Sequence, residues 1–118
     1  MNLTDLAHEV HMANIKWWQD PKTGALIERN KGEQLALIHS EISEALDGER
    51  HCASDDKLPQ YAMAPVELVD AMIRILDYLA GHYPDIDVQQ IFNDKMAYNA
   101  RRKDHTHEAR LQEGGKKF

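Results

Sequence analysis

The sequence predicts an all-α fold, a four-helix bundle-like domain. Three observations carry that reading. Four segments repeat apolar residues at the three- and four-residue spacing of a helix. Pro- or Gly-containing runs separate them. Aromatic residues make up only 7% of the chain, and no stretch reads convincingly as a strand.

The first helix is expected over Thr4 to Trp18, with Thr4 as N-cap and Asp5 in the first turn. Its apolar stripe is Leu3, Leu6, Val10, Ala13 and Trp17, which assigns Trp17 to the core. The run "QDPKTG", Gln19 to Gly24, ends it, and residues 25–29 read as a short helical turn. The second helix starts near Asn30 or Gly32 and is expected to stop at Gly48. Leu35, Ile38, Ile42, Ala45 and Leu46 form its stripe. A long polar loop, Glu49 to Ala64, leads to a third helix from Pro65 to Ala80, closed by Gly81. Its stripe is Leu68, Met72, Ile75 and Leu79. After "HYPDID" a fourth helix runs from Asp87 to His105, carrying Val88, Ile91, Phe92, Lys95 and Tyr98. The tail at 113–118, "EGGKKF", reads as frayed.

The 118 residues, 42% hydrophobic and 29% charged, fit a single soluble domain spanning 1–118. The apolar stripes are narrow for a chain with only four helices. A second copy is therefore expected to cover part of them, in a homodimer or homotetramer.

Charge divides the chain. Residues 1–94 hold 7 Lys+Arg against 17 Asp+Glu, a net −10; residues 95–118 hold 7 against 3, a net +4. The acidic body disfavours duplex nucleic acid and anionic membrane as partners. The lone Cys52 has no partner for an intrachain disulfide. There is no transmembrane run, and Asp5 and Glu9 lie where a signal peptide would be basic and then apolar. These features lead us to expect a cytoplasmic protein.

The chemistry lies in two pairs of acids. "SEISEALDG" holds Glu41 and Glu44, three apart; "ELVD" holds Glu67 and Asp70 at the same spacing. At about 100° per residue, Glu41 and Glu44 fall about 60° and 120° to one side of Ile38. Glu67 and Asp70 fall roughly 100° and 160° to one side of Leu68. Each pair thus flanks its own apolar stripe, and two packed helices can bring such flanks together. Carboxylates so gathered repel, and either protons or a cation must relieve them. An all-oxygen set suits Mg²⁺ or Mn²⁺. No Cys/His cluster argues for zinc, and neither Glu41 nor Glu67 is followed three later by the His of a di-iron bundle. The competing reading is two solvated acidic faces.

Together, "SEISEALDG" and "ELVDAMIRILDYLAG" resemble the MazG-like, all-α nucleoside triphosphate pyrophosphohydrolases. Their signature is a helical E(E)xxE, a spacer, then ExxD. A third segment, "KMAYNARRKDH", matches in Lys95, Asn99 and Arg102, which share a helix face. The resemblance covers roughly residues 33–103. Ser40 replaces the first Glu of the doublet, and Ser43 stands where Gly is frequent.

The resemblance implies Mg²⁺, or Mn²⁺, held by Glu41, Glu44, Glu67 and Asp70. It implies hydrolysis of an NTP or dNTP to NMP and pyrophosphate. Glu41, Glu44 and Lys95 form the implied catalytic set, without singling out the carboxylate that activates water. Lys95 and Arg102 would face the phosphates and Asn99 would donate a hydrogen bond. The first helix would read the base through Asn14 and Trp18. The alternative is a catalytically silent helical module of the same fold that binds a nucleotide or a protein.

Overall fold

The computed structural model describes residues 1–102 and 107–115. They are all-helical, as expected. Helix α1 spans Leu3–Ala13 and is capped by Asn2, whose Oδ1 accepts from the Asp5 N–H at 2.9 Å. Thr4, the expected cap, lies inside the first turn. Its hydroxyl donates to Asp87 Oδ1 at 2.8 Å and accepts from the Gln89 N–H at 3.1 Å, tying α1 to the fourth helix. α1 ends at Ala13 rather than Trp18. Asn14 folds its amide back onto the Val10 carbonyl at 3.0 Å, and the chain continues as a 3₁₀ turn, Ile15–Trp18.

The helical turn expected at 25–29 is not formed. The Asp20 N–H bonds the Ala25 carbonyl at 2.8 Å, and the Ile27 N–H bonds the Trp18 carbonyl at 2.9 Å. The segment folds back on itself as a narrow ladder, with Gly24 taking the left-handed conformation (φ +73°) that its turn requires.

Helix α2 spans Lys31–His51, capped by Asn30 through the Glu33 N–H at 2.9 Å. It passes straight through Gly48. That glycine is a packing residue: a Cβ there would stand 3.0 Å from Met63 Cβ. Cys52, at φ 50°, makes the left-handed cap instead. The expected long loop shortens to residues 52–62, where Asp55 Oδ2 accepts from the Lys57 and Leu58 N–H groups at 3.0 and 2.8 Å.

Helix α3 spans Met63–His82, with Pro65 in its first turn as expected. Gly81 again fails to end a helix, because the Trp18 ring occupies the place of its Cβ. Helix α4 spans Val88–Arg101, capped by Asp87. Its expected extension to His105 lies outside the described residues. A short α5, His107–Leu111, was not expected; of the tail at 113–118, residues 116–118 lie outside the described residues.

α3 is the centre of the arrangement. α2 and α1 both pack on it, and α4 packs on α1. The faces that meet are unlike the stripes expected from hydropathy. α2 buries Gln34, Ile38, Glu41, Ala45 and Gly48, at alternating four- and three-residue steps. α3 buries Ala64, Ala71, Asp77 and Ala80. Small side chains let the helices approach closely. Leu35, Ile42 and Leu46 of α2 and Leu68, Met72 and Ile75 of α3, all members of the apolar stripes, are left exposed on the single chain. The radius of gyration is 18.2 Å. A compact domain of this length has about 13–14 Å. Among the described residues no helix is long and apolar enough to cross a membrane.

Candidate metal centre

Glu41 sits in the middle of the buried face of α2 and is only 8% exposed. Ala71, next to Asp70 on α3, is buried too. Glu67 and Asp70, one turn apart on α3, close around Glu41. One carboxylate oxygen from each of Glu41, Glu67 and Asp70 lies within 4.8 Å of the others. Glu44 stays outside this trio. It is exposed, and its carboxylate reaches the Glu67 carboxyl at the rim.

Such crowding has an electrostatic consequence. Glu67 is pushed up to about 8, first by its hydrogen bond with Glu41, then by burial, then by the hydrogen bond and charge of Glu44. At neutral pH it therefore holds a proton between its neighbours. Asp70 is also raised, by burial first and by the Glu41 charge next, with Arg74 partly offsetting both. Among the described residues Arg74 answers Glu41, its Nε donating to Glu41 Oε1 at 2.9 Å. Arg74 follows Asp70 by four residues on the same helix face.

Two of the trio, Glu41 and Asp70, line a cavity of about 500 Å³; Glu67 does not. Glu41, Asp70 and Arg74 line it on the acidic side; Asn14, Trp17 and Arg29 line it from the first helix end and the following loop. Trp17 is 61% exposed, so its assignment to the core is corrected. Trp18 is the buried one, at 6%. Its Nε1 donates to both oxygens of Asp77 at 3.0 and 3.1 Å, and His11 Nδ1 bonds the same carboxylate at 2.8 Å. His11 and His82 pack edge-on against its ring. His82 is held below the usual histidine range by burial and by the nearby Lys31 and Arg29, and donates from Nε2 to the buried Gln34 Oε1. Trp18 is thus a structural anchor, bordering a smaller second cavity, and its indole is not presented for stacking in the first. Helix α1 stops at Asn14, so the two tryptophans sit on a 3₁₀ turn and swap the faces expected of a continuous α-helix.

Of the expected site residues, the structure brings together Glu41, Glu67 and Asp70, with Glu44 adjacent and Asn14 across the cavity. It does not bring Lys95, Asn99 or Arg102 to the acids within one chain. No α4 residue lines the cavity; α4 packs on α1 instead. Lys95 and Arg102 lie instead against the Tyr98 ring, 5.0 and 5.8 Å from its centroid. Asn99 Oδ1 is enclosed without a hydrogen-bond partner. Arg29, Arg74, Asp77, Ile73 and Trp17 are the lining residues that sequence reasoning missed. For Arg74 a signal existed in its spacing from Glu67 and Asp70, and for Arg29, on an irregular segment, none did.

An all-oxygen trio with one buried member and a raised, proton-holding member fits a hard divalent cation, Mg²⁺ or Mn²⁺. Comparison of the chain with protein-family models, with curated proteins and with solved structures finds no match.

Proposed function

We propose that the chain is a Mg²⁺-dependent nucleoside triphosphate pyrophosphohydrolase of the MazG-like type, converting NTP or dNTP and water to NMP and pyrophosphate. One observation carries the reading. The acids singled out by their spacing, Glu41, Glu67 and Asp70, lie within 4.8 Å of one another, and two of them, Glu41 and Asp70, line a cavity whose volume suits a nucleotide. Mg²⁺ or Mn²⁺, when held by these three, supplies charge neutralisation to the phosphate oxygens. Glu44, exposed at the rim, accepts the proton of the attacking water. The water oxygen bonds to the α-phosphorus as the α–β anhydride bond breaks and pyrophosphate leaves. Trp17 offers the base an open aromatic face, and Asn14 a polar edge beside it.

A homodimer or homotetramer belongs to this reading. The exposed Leu35, Ile42 and Leu46 face, and the long radius of gyration, support burial by a second copy. Lys95, Asn99 and Arg102 keep a part in catalysis only where α4 of another copy reaches the cavity.

The test is a panel of NTPs and dNTPs with Mg²⁺ or Mn²⁺, scoring pyrophosphate against orthophosphate. The reading expects pyrophosphate and NMP, no turnover in chelator, and loss by orders of magnitude in Asp70→Asn. Orthophosphate as the direct product contradicts it. A silent nucleotide-binding module is the second reading, favoured by the distance of the α4 basic residues from the cavity. It expects Mg²⁺-dependent nucleotide binding without turnover.

A further inference from the structure

We propose that Arg29 and Arg74 of the same chain are the phosphate-binding pair of this cavity, holding the polyphosphate of the substrate against the cation side. The proposal rests on the reading of the cavity as a nucleotide site. Both arginines line it, and among the described residues no other Lys or Arg does. A pocket serving a cation alone has no use for two guanidinium groups. A polyphosphate does, since each planar fork matches two phosphate oxygens.

Each arginine is oriented yet left with donors to spare. Arg74 bonds Glu41 through Nε at 2.9 Å, which fixes the plane of the guanidinium and leaves its two terminal nitrogens for a second anion. Arg29 rests on the Trp18 ring, 5.4 Å from its centroid. Among the described residues it makes no ion pair. Asp77, the remaining acid on the cavity wall, is committed to His11 and Trp18. Trp18 is itself pinned against Gly81, so the platform under Arg29 is rigid. The charge pattern of the cavity is therefore Glu41 and Asp70 on one side and two positioned guanidinium groups beside them. This is the arrangement that a metal-bound polyphosphate needs.

The test uses the full chain and inorganic tripolyphosphate at saturating Mg²⁺, followed by isothermal titration, with Mn²⁺ binding measured separately by electron paramagnetic resonance. Arg29→Gln and Arg74→Gln are expected to weaken tripolyphosphate by roughly tenfold or more, the scale of a lost charge-assisted hydrogen bond, while Mn²⁺ binding is retained. Arg29→Lys, which keeps the charge and the fold but loses the fork, is expected to fall between wild type and Arg29→Gln. Lys57→Gln, at an exposed lysine that does not line the cavity, is expected to bind like wild type. Tripolyphosphate binding within about twofold of wild type in both Arg29→Gln and Arg74→Gln overturns the proposal, as does a loss of the same size in Lys57→Gln. Nucleotide hydrolysis with unchanged KM in the arginine variants would sink the proposal and leave the enzyme reading standing. Arginine-dependent tripolyphosphate binding by a chain that hydrolyses no nucleotide would do the reverse.

Discussion

Arg74 Nε and Glu41 Oε1 lie 2.9 Å apart and join the two helices that carry the acidic cluster. Arg74 is the resident counter-ion of a carboxylate that is otherwise buried among acids. It therefore competes with any incoming cation for the Glu41 charge, yet it also presents positive charge to an incoming anion.

That double role gives Arg74→Gln a signature of opposite signs. Without metal the variant loses a charge-assisted bond, and its stability should drop by about 1–2 kcal/mol in urea denaturation. Its Mn²⁺ affinity should rise, since the competing cation is gone. A variant that loses stability and Mn²⁺ affinity together would show that Arg74 only holds the ligands in place.

Glu67 makes stability depend on pH. Below its ordinary value of 4.5 it is protonated in folded and unfolded chains alike. Between 4.5 and about 8 the unfolded chain releases the proton and the folded chain keeps it. Fewer protons are bound when unfolded, so stability should fall as pH rises through that window and level off above it. Asp70, also raised, acts in the same direction. Thermal melts in chelator should show the decline, Glu67→Gln should flatten it, and Mg²⁺ should restore wild type at pH 8. Because the lowered His82 works in the opposite direction at the acidic end, the comparison decides: a Glu67→Gln chain whose melting point changes with pH as wild type does would contradict the clustering.

Cation binding should release that proton. Calorimetry at pH 7 in buffers of different ionisation enthalpy should report about one proton per cation for wild type, and markedly less at pH 9. An enthalpy independent of buffer would mean that Glu67 is already ionised.

Gly81 tests the anchor behind the cavity. Gly81→Ala forces a methyl group into the Trp18 ring and should cost about 1–3 kcal/mol, with the Trp18 emission shifted by exposure. Stability equal to wild type would place the ring elsewhere.

The exposed apolar face tests assembly. Leu46→Glu should lower the mass seen by light scattering from that of an oligomer to that of the single chain, because a charge would enter the covered face. A wild-type chain that is already a monomer would remove the oligomer from the account.

Much of this fold is legible in the chain, for reasons particular to each element. Helix existence follows from apolar spacing, and Glu41, Glu67 and Asp70 come together because a three-residue step fixes a helix face whatever the helix packs on. Helix ends were harder. Gly48 and Gly81 look like stops, but one makes room for Met63 and the other for Trp18, and a partner remote in sequence is invisible to local pattern. The tryptophans exchanged roles because Asn14 ended α1 before them. The stripes on α2 and α3 are apolar, but hydropathy alone does not say whether a face meets its own chain. Arg29 reaches the cavity from an irregular segment, where no periodicity exists to read.

The claim beneath all of this is that Glu41, Glu67 and Asp70 act as one cation site. Titration of Mn²⁺ into the wild-type chain, followed by electron paramagnetic resonance, tests it most directly. The account expects saturable binding that is lost in Glu67→Gln and in Asp70→Asn while both variants stay folded. Wild-type binding no tighter than that of either folded variant would contradict it.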